Sequence, residues 1–155
     1  MFTGYSESMG DFRTGRHVVY SLHAHIVLVP KYRRKIMHGR VAEIVEAVTR
    51  EVCDRRGVVL EAFNTDQDHC HLLVAYPPKV SLSSLVGSIK TMTSRAIHDA
   101  NLAEVQHALR GPAFWSPSYC VVSCGGAPLE VVAQYVRDQG REPRKQGRQP
   151  RSAAD

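Results

Sequence analysis

Apolar residues recur along this chain with two different periods, and the switches between them predict an order of elements. Residues 17–30, HVVYSLHAHIVLVP, are β-branched and apolar with partial alternation, a strand pattern stopped at Pro30. From Arg40 the spacing changes. Val41, Ile44, Val45, Val48 and Val52 fall three or four apart with charges between them, and Gly57 follows, which predicts an amphipathic helix with a glycine stop.

VVLEAFNTD and HCHLLVAYP then read as two strands joined by a polar turn at 65–68. Helical spacing returns with Leu82, Leu85, Val86, Ile89 and Met92, and Ser81 is placed to cap that helix. Gly87 inside it costs about 1 kcal/mol relative to alanine, which predicts a tight packing contact there. After a loop holding the single tryptophan, Trp115, residues 118–124 (SYCVVSC) make a fourth strand, and residues 128–140 (PLEVVAQYVRDQG) a third helix ending at Gly140.

The first six elements follow the order β-α-β-β-α-β. That order predicts an α+β fold, a ferredoxin-like (RRM-like) sandwich with two helices on one face of a four-stranded antiparallel sheet, plus a C-terminal helix. A chain of 155 residues is expected to hold one domain, over residues 17–139, after a flexible segment at 1–16. Residues 140–155 carry five Lys/Arg against two acidic residues and no large apolar side chain, which predicts a disordered basic tail.

Composition narrows the partners. Twenty Lys and Arg against fifteen Asp and Glu give a net charge of +5, and the pI is near 9.2, a surplus that favours an acidic partner such as nucleic acid. No apolar run has the h-region of a secretory signal or the roughly 18 residues of a membrane span, so a cytoplasmic protein without membrane contact is expected. Cys53, Cys70, Cys120 and Cys124 form no C-x-x-C pair, which argues against a zinc ribbon or a redox motif and for buried reduced thiols.

Two H-x-H pairs compete as metal sites. On a strand, residues i and i+2 share a face, so His69 and His71 can converge on one ion while Cys70 points away; His23 and His25 can do the same. Periodicity does not choose between them. Context favours the later pair, which opens its strand directly after an acidic turn. Two imidazoles need a third ligand, and Gln139 is a candidate, spaced i, i+4 from Tyr135 on one helix face.

Five segments together carry a resemblance: HIVLVPKYRRKI, HCHLLV, LSSLVGSIKTMTS, FWSPSYCVVS and QYVRDQ, in that order across residues 17–139. They resemble the single-tyrosine HUH transposases of the smallest bacterial insertion sequences, the IS-two-hundred-like class, REP-associated tyrosine transposases included. The resemblance implies that His69, His71 and Gln139 are the metal ligands and Tyr135 the nucleophile. His25 falls on a family-like position that is not a ligand, and Cys70 stands where a bulky apolar residue is usual.

The implied activity is a transesterification on single-stranded DNA marked by hairpins, through a 5′-phosphotyrosine link, by a homodimer. The implied cofactor is a divalent metal; Mg²⁺ or Mn²⁺ suits the hard oxygen donors better than Zn²⁺. Ligation needs neutral imidazoles, so activity is expected to fall as pH drops through roughly 6.5. Lys31, Arg33, Arg34, Lys35, Lys90 and Arg95 are the expected DNA contacts. The alternatives are a domesticated relative that processes repeated hairpins, and a non-catalytic RRM-like module, for which the strands lack the required aromatics. A histidine-triad hydrolase would need a histidine where Leu73 stands.

Overall fold

The computed structural model of the protein describes residues 13–109, 111–123 and 136–139. Nine elements follow along the chain: β1 (Arg13–Gly15), β2 (Val18–Tyr20), β3 (His23–Leu28), α1 (Gly39–Arg55), β4 (Val59–Asp66), β5 (His69–Ala75), α2 (Leu82–Ala100), α3 (Ala103–Ala108) and β6 (Cys120–Ser123). β1 and β2 form a separate two-stranded ribbon. The other four strands make one antiparallel sheet in the order β4-β5-β3-β6, the four-stranded antiparallel sheet the period pattern predicts.

Alternation sorts the strand residues onto two faces. Ala24, Ile26 and Leu28 of β3 and Cys70, Leu72 and Val74 of β5 point into the main core, where α1 supplies Val41, Val45 and Val52 and α2 supplies Leu85, Val86 and Ile89. Ile26, Leu28, Leu72 and Ile89 are completely buried. The opposite face holds a smaller cluster of Val27, Val29 and Val136, with Cys120 packed against it. Helical residues 136–138 therefore lie over the side of the sheet that α1 and α2 leave uncovered.

Ser81 caps α2 as expected, its hydroxyl accepting from Ser84 N, and Asn101 ends the helix in the left-handed conformation. The expectation for Gly87 fails: the residue is exposed, and a β-carbon there would meet nothing within 4 Å. It costs helix propensity without a packing return. The pattern over 17–30 is also broken, since β2 and β3 belong to different sheets and part at Ser21 and Leu22. Of the predicted third helix, residues 136–138 are helical and Gln139 is a turn; residues 128–135 lie outside the described residues, as do Cys124 and the tail at 140–155.

Trp115 is fixed from two sides. Its ring nitrogen donates to Thr93 Oγ1 at 2.9 Å, and its backbone bridges to Pro30. Lys31 N donates to Phe114 O and Ser116 N to Val29 O, so residues 114–116 run beside the end of β3. That pairing delivers Ser116 and Ser118 to the histidine side of the sheet.

Candidate active site

His69 and His71 both lie on the face away from the helices, and Cys70 between them is buried in the core. Burial pushes the Cys70 thiol up to about 12, so it stays protonated and offers no thiolate. The hairpin register places Asp66 opposite His69 and Asn64 opposite His71, around a two-residue turn, Gln67 and Asp68. Met37 N donates to Gln67 O at 2.8 Å and ties that turn to the basic loop after β3.

Asp68 orients the first histidine. Its Oδ1 accepts from His69 Nδ1 at 2.9 Å, which leaves Nε2 with a lone pair for a ligand, the carboxylate–histidine pairing common behind metal sites. The second histidine has a different neighbour. His71 Nε2 and His25 Nδ1 lie 2.9 Å apart, with ring centroids 4.9 Å apart, so one ring donates and the other accepts. The two are diagonal neighbours across the ladder, because Val27 is the partner of His71 and Leu73 that of His25. Burial first, and then the nearby His25 and His69, lower the His71 pKa and favour the neutral ring that ligation requires.

The rival pair is thereby divided. His23 Nε2 contacts Glu61 Oε1 at 3.3 Å, at the bulge between Leu60 and Ala62 of β4, whereas His25 joins His71. Among the described residues no group of three or more His, Cys, Asp or Glu could hold a metal ion. The third donor that the resemblance implies, Gln139, is an amide. Its Oε1 accepts from the hydroxyls of Ser116 at 2.6 Å and Ser118 at 3.0 Å. Together with two imidazoles, an amide oxygen would make a donor set suited to a divalent ion of intermediate hardness.

Arg33 connects these parts. Its Nε pairs with Asp68 Oδ2 at 3.1 Å, and one terminal nitrogen donates to the carbonyls of Val136 and Arg137 at 3.5 and 3.3 Å. One guanidinium thus spans the carboxylate behind His69 and the two residues that follow Tyr135, which itself lies outside the described residues. Such a fork needs arginine, because an ammonium cannot hold a carboxylate and two carbonyls in one plane. Arg33→Lys is expected to lower DNA cleavage about 10- to 100-fold, the usual cost of losing a ligand's supporting contact. Single-strand affinity should change little. A matching loss of affinity, with the log–log salt slope reduced by about 0.7, would make Arg33 a phosphate contact instead.

Lys90 is also turned inward. Its ammonium donates to the carbonyls of Ser116 and Ser118 at 2.7 and 2.9 Å, and burial lowers its pKa. It braces the loop whose hydroxyls hold Gln139. Lys31 and Arg34 flank the Tyr32 ring, Lys35 is exposed in the same loop, and Arg95 is exposed on α2, in the layer on the other side of the sheet. Four contributors were not singled out by sequence reasoning: Asp68, Ser116 and Ser118, and His25 as a neighbour of His71. Asp68 left a signal as the carboxylate immediately before HCH, and His25 as the family-like position in HAH.

Solved structures place this architecture among transposases. A putative transposase from Deinococcus radiodurans R1 superimposes with a TM-score of 0.73 at 26% identity, covering 84% of this chain and 99% of the other. A REP-associated tyrosine transposase, solved bound to a REP hairpin, gives a TM-score of 0.51 at 14% identity over 80% of this chain and 67% of its own, a likeness of fold.

The chain belongs to the IS200-like transposase family, whose model matches residues 18–139. It is 30% identical over 134 residues to the transposase of insertion sequence IS200 from Salmonella typhimurium, covering 86% of this chain and 87% of that one. It is 26% identical over 129 residues to the ISDra2 transposase TnpA of Deinococcus radiodurans, covering 83% and 91%. The family is one of DNA-processing enzymes. No helix among the described residues is long and apolar enough to cross a membrane.

Proposed function

We propose that this transposase cleaves and rejoins single-stranded DNA at hairpin-marked element ends, as a homodimer, with Tyr135 as nucleophile. The observation that supports the reading best is the convergence on one sheet face of His69, His71 and the Gln139 segment, joined through Arg33. The order β4-β5-β3-β6, with α1 and α2 packed together on the other face, supports the ferredoxin-like description. The strand residues of the histidine face include no Phe, Tyr or Trp among those described, which weighs against an RRM-like base platform there.

In the proposed step the Tyr135 hydroxyl oxygen bonds to phosphorus and the bond from phosphorus to the 3′-oxygen breaks. The phenolic proton is given up, and the departing 3′-oxygen takes one. The product is a 5′-phosphotyrosine and a free 3′-hydroxyl, and attack by a second 3′-hydroxyl reverses the step without ATP. His69, His71 and Gln139 would hold a divalent ion, Mg²⁺ or Mn²⁺, which when bound supplies polarisation of the phosphate and compensation of its developing charge. Asp68 and Arg33 orient His69, and Ser116, Ser118 and Lys90 position Gln139.

The test is incubation of the full chain with labelled single-stranded DNA carrying its flanking hairpin, in Mg²⁺ or Mn²⁺, followed by a denaturing gel. A covalent adduct is expected, with the linked peptide mapping to Tyr135 by mass spectrometry. DNA binding with no adduct in either metal would move the function to a non-catalytic hairpin-binding relative.

A further inference from the structure

The loop after β3 contains a residue that the proposed chemistry leaves unused. Tyr32 is one of the few large hydrophobic side chains among the described residues that face solvent, at 44% exposure. Its backbone is in the left-handed region, φ +60°, and so is that of Arg33, at φ +50°. Two consecutive non-glycine residues in that region cost backbone free energy, which persists only where surrounding contacts impose it. Here the imposing contacts are those of Arg33, held by Asp68 and by the carbonyls of Val136 and Arg137. With Arg33 drawn inward, its neighbour is turned out.

The exposed ring has a charged setting. Lys31 Nζ lies 5.3 Å and the Arg34 guanidinium carbon 5.7 Å from its centroid. Among the described residues neither cation has an ion pair or a side-chain hydrogen bond, in contrast to Arg33 and Lys90. Beside the ring opens a recess of about 440 Å³ bounded by Tyr32, Arg34, His107 and Ala108. An aromatic face between unpaired cations at the edge of an open recess suits a single-stranded nucleotide, whose base stacks while its phosphates meet the cations.

We propose that Tyr32 is a base-stacking residue for single-stranded DNA, with Lys31 and Arg34 moving from the ring to the adjacent phosphates. The assignment rests on the single-stranded DNA reading of the site and gives that substrate a second point of attachment. Because Tyr32 adjoins Arg33, a base seated there is fixed relative to Asp68 and His69. Stacking has no hydrogen-bond readout, so the subsite accepts any base and contributes affinity and register rather than sequence choice.

The test uses the full chain and two labelled strands of equal length, oligo-dT and its abasic counterpart, with anisotropy as readout. Tyr32→Ala is expected to weaken oligo-dT binding about 10-fold, Tyr32→Phe to leave it unchanged, and neither to alter abasic-strand binding or the salt slope. Unchanged oligo-dT affinity in Tyr32→Ala, or an equal loss for both strands, overturns the stacking role. Tyr32→Trp gives a second measurement should the alanine protein not fold: its new exposed indole should be quenched by oligo-dT and not by the abasic strand. No difference between the strands would also overturn the proposal. If the unmodified protein binds neither strand, the stacking proposal is overturned, while the reading of the site stands or falls with the hairpin-bearing strand.

Discussion

The Tyr135→Phe protein is expected to bind hairpin-bearing single-stranded DNA as the unmodified protein does and to form no covalent adduct. The substitution removes one oxygen and keeps the ring, so binding should be spared while the atom proposed to bond to phosphorus is lost. A phenol with an ordinary pKa of about 10 is mostly protonated at neutral pH, so its attack depends on the surrounding site. Removing the proposed nucleophile should reduce adduct yield by more than about 10³-fold, since the remaining groups would have nothing to activate. An adduct of comparable yield would assign the link to another side chain.

Chelation with EDTA and the single change His71→Ala are expected to have the same large effect. Charge compensation by a bound divalent ion supplies several kcal/mol to phosphoryl chemistry, and at about 1.4 kcal/mol per tenfold its loss lowers cleavage about 100-fold or more. Added Mn²⁺ should restore the chelated protein and not the variant. The pH dependence of this residue follows from its setting. Burial and the adjacent His25 and His69 lower its pKa from 6.5, so the neutral, ligating form persists to lower pH than an ordinary histidine allows. In the window between the folded value and 6.5 the unfolded chain binds the extra proton, and stability falls as pH drops through that window. An NMR titration of the His71 ring with its midpoint at or above 6.5 would contradict this.

Periodicity carried most of the fold because each long element buries one face. Val41, Val45 and Val52 in α1, and Leu85, Val86 and Ile89 in α2, are buried as their spacing requires, and Cys70 alternates with its histidine neighbours as a strand dictates. What periodicity does not carry is pairing between distant strands. His25 and His71 are 46 residues apart, and only the register of β3 on β5 brings them into contact. The short helix α3 spans six residues, too few to display a helical period. Arg33 looked like its basic neighbours in KYRRK because a run of like charges says nothing of which side chain turns inward. The left-handed backbone at Tyr32 and Arg33 separates them, and no composition rule announces it.

The alternation in β5 constrains how this gene can change in length. Its inward residues fill the core and its outward residues face the proposed chemistry, so every position of the strand is committed to one side. Loss or gain of a single codon within it would exchange the two sets, turning Cys70 to the surface and both imidazoles into the apolar interior. A gain of two codons keeps the sidedness. Length variation among functional descendants of this chain should therefore be absent from the strand or come in pairs.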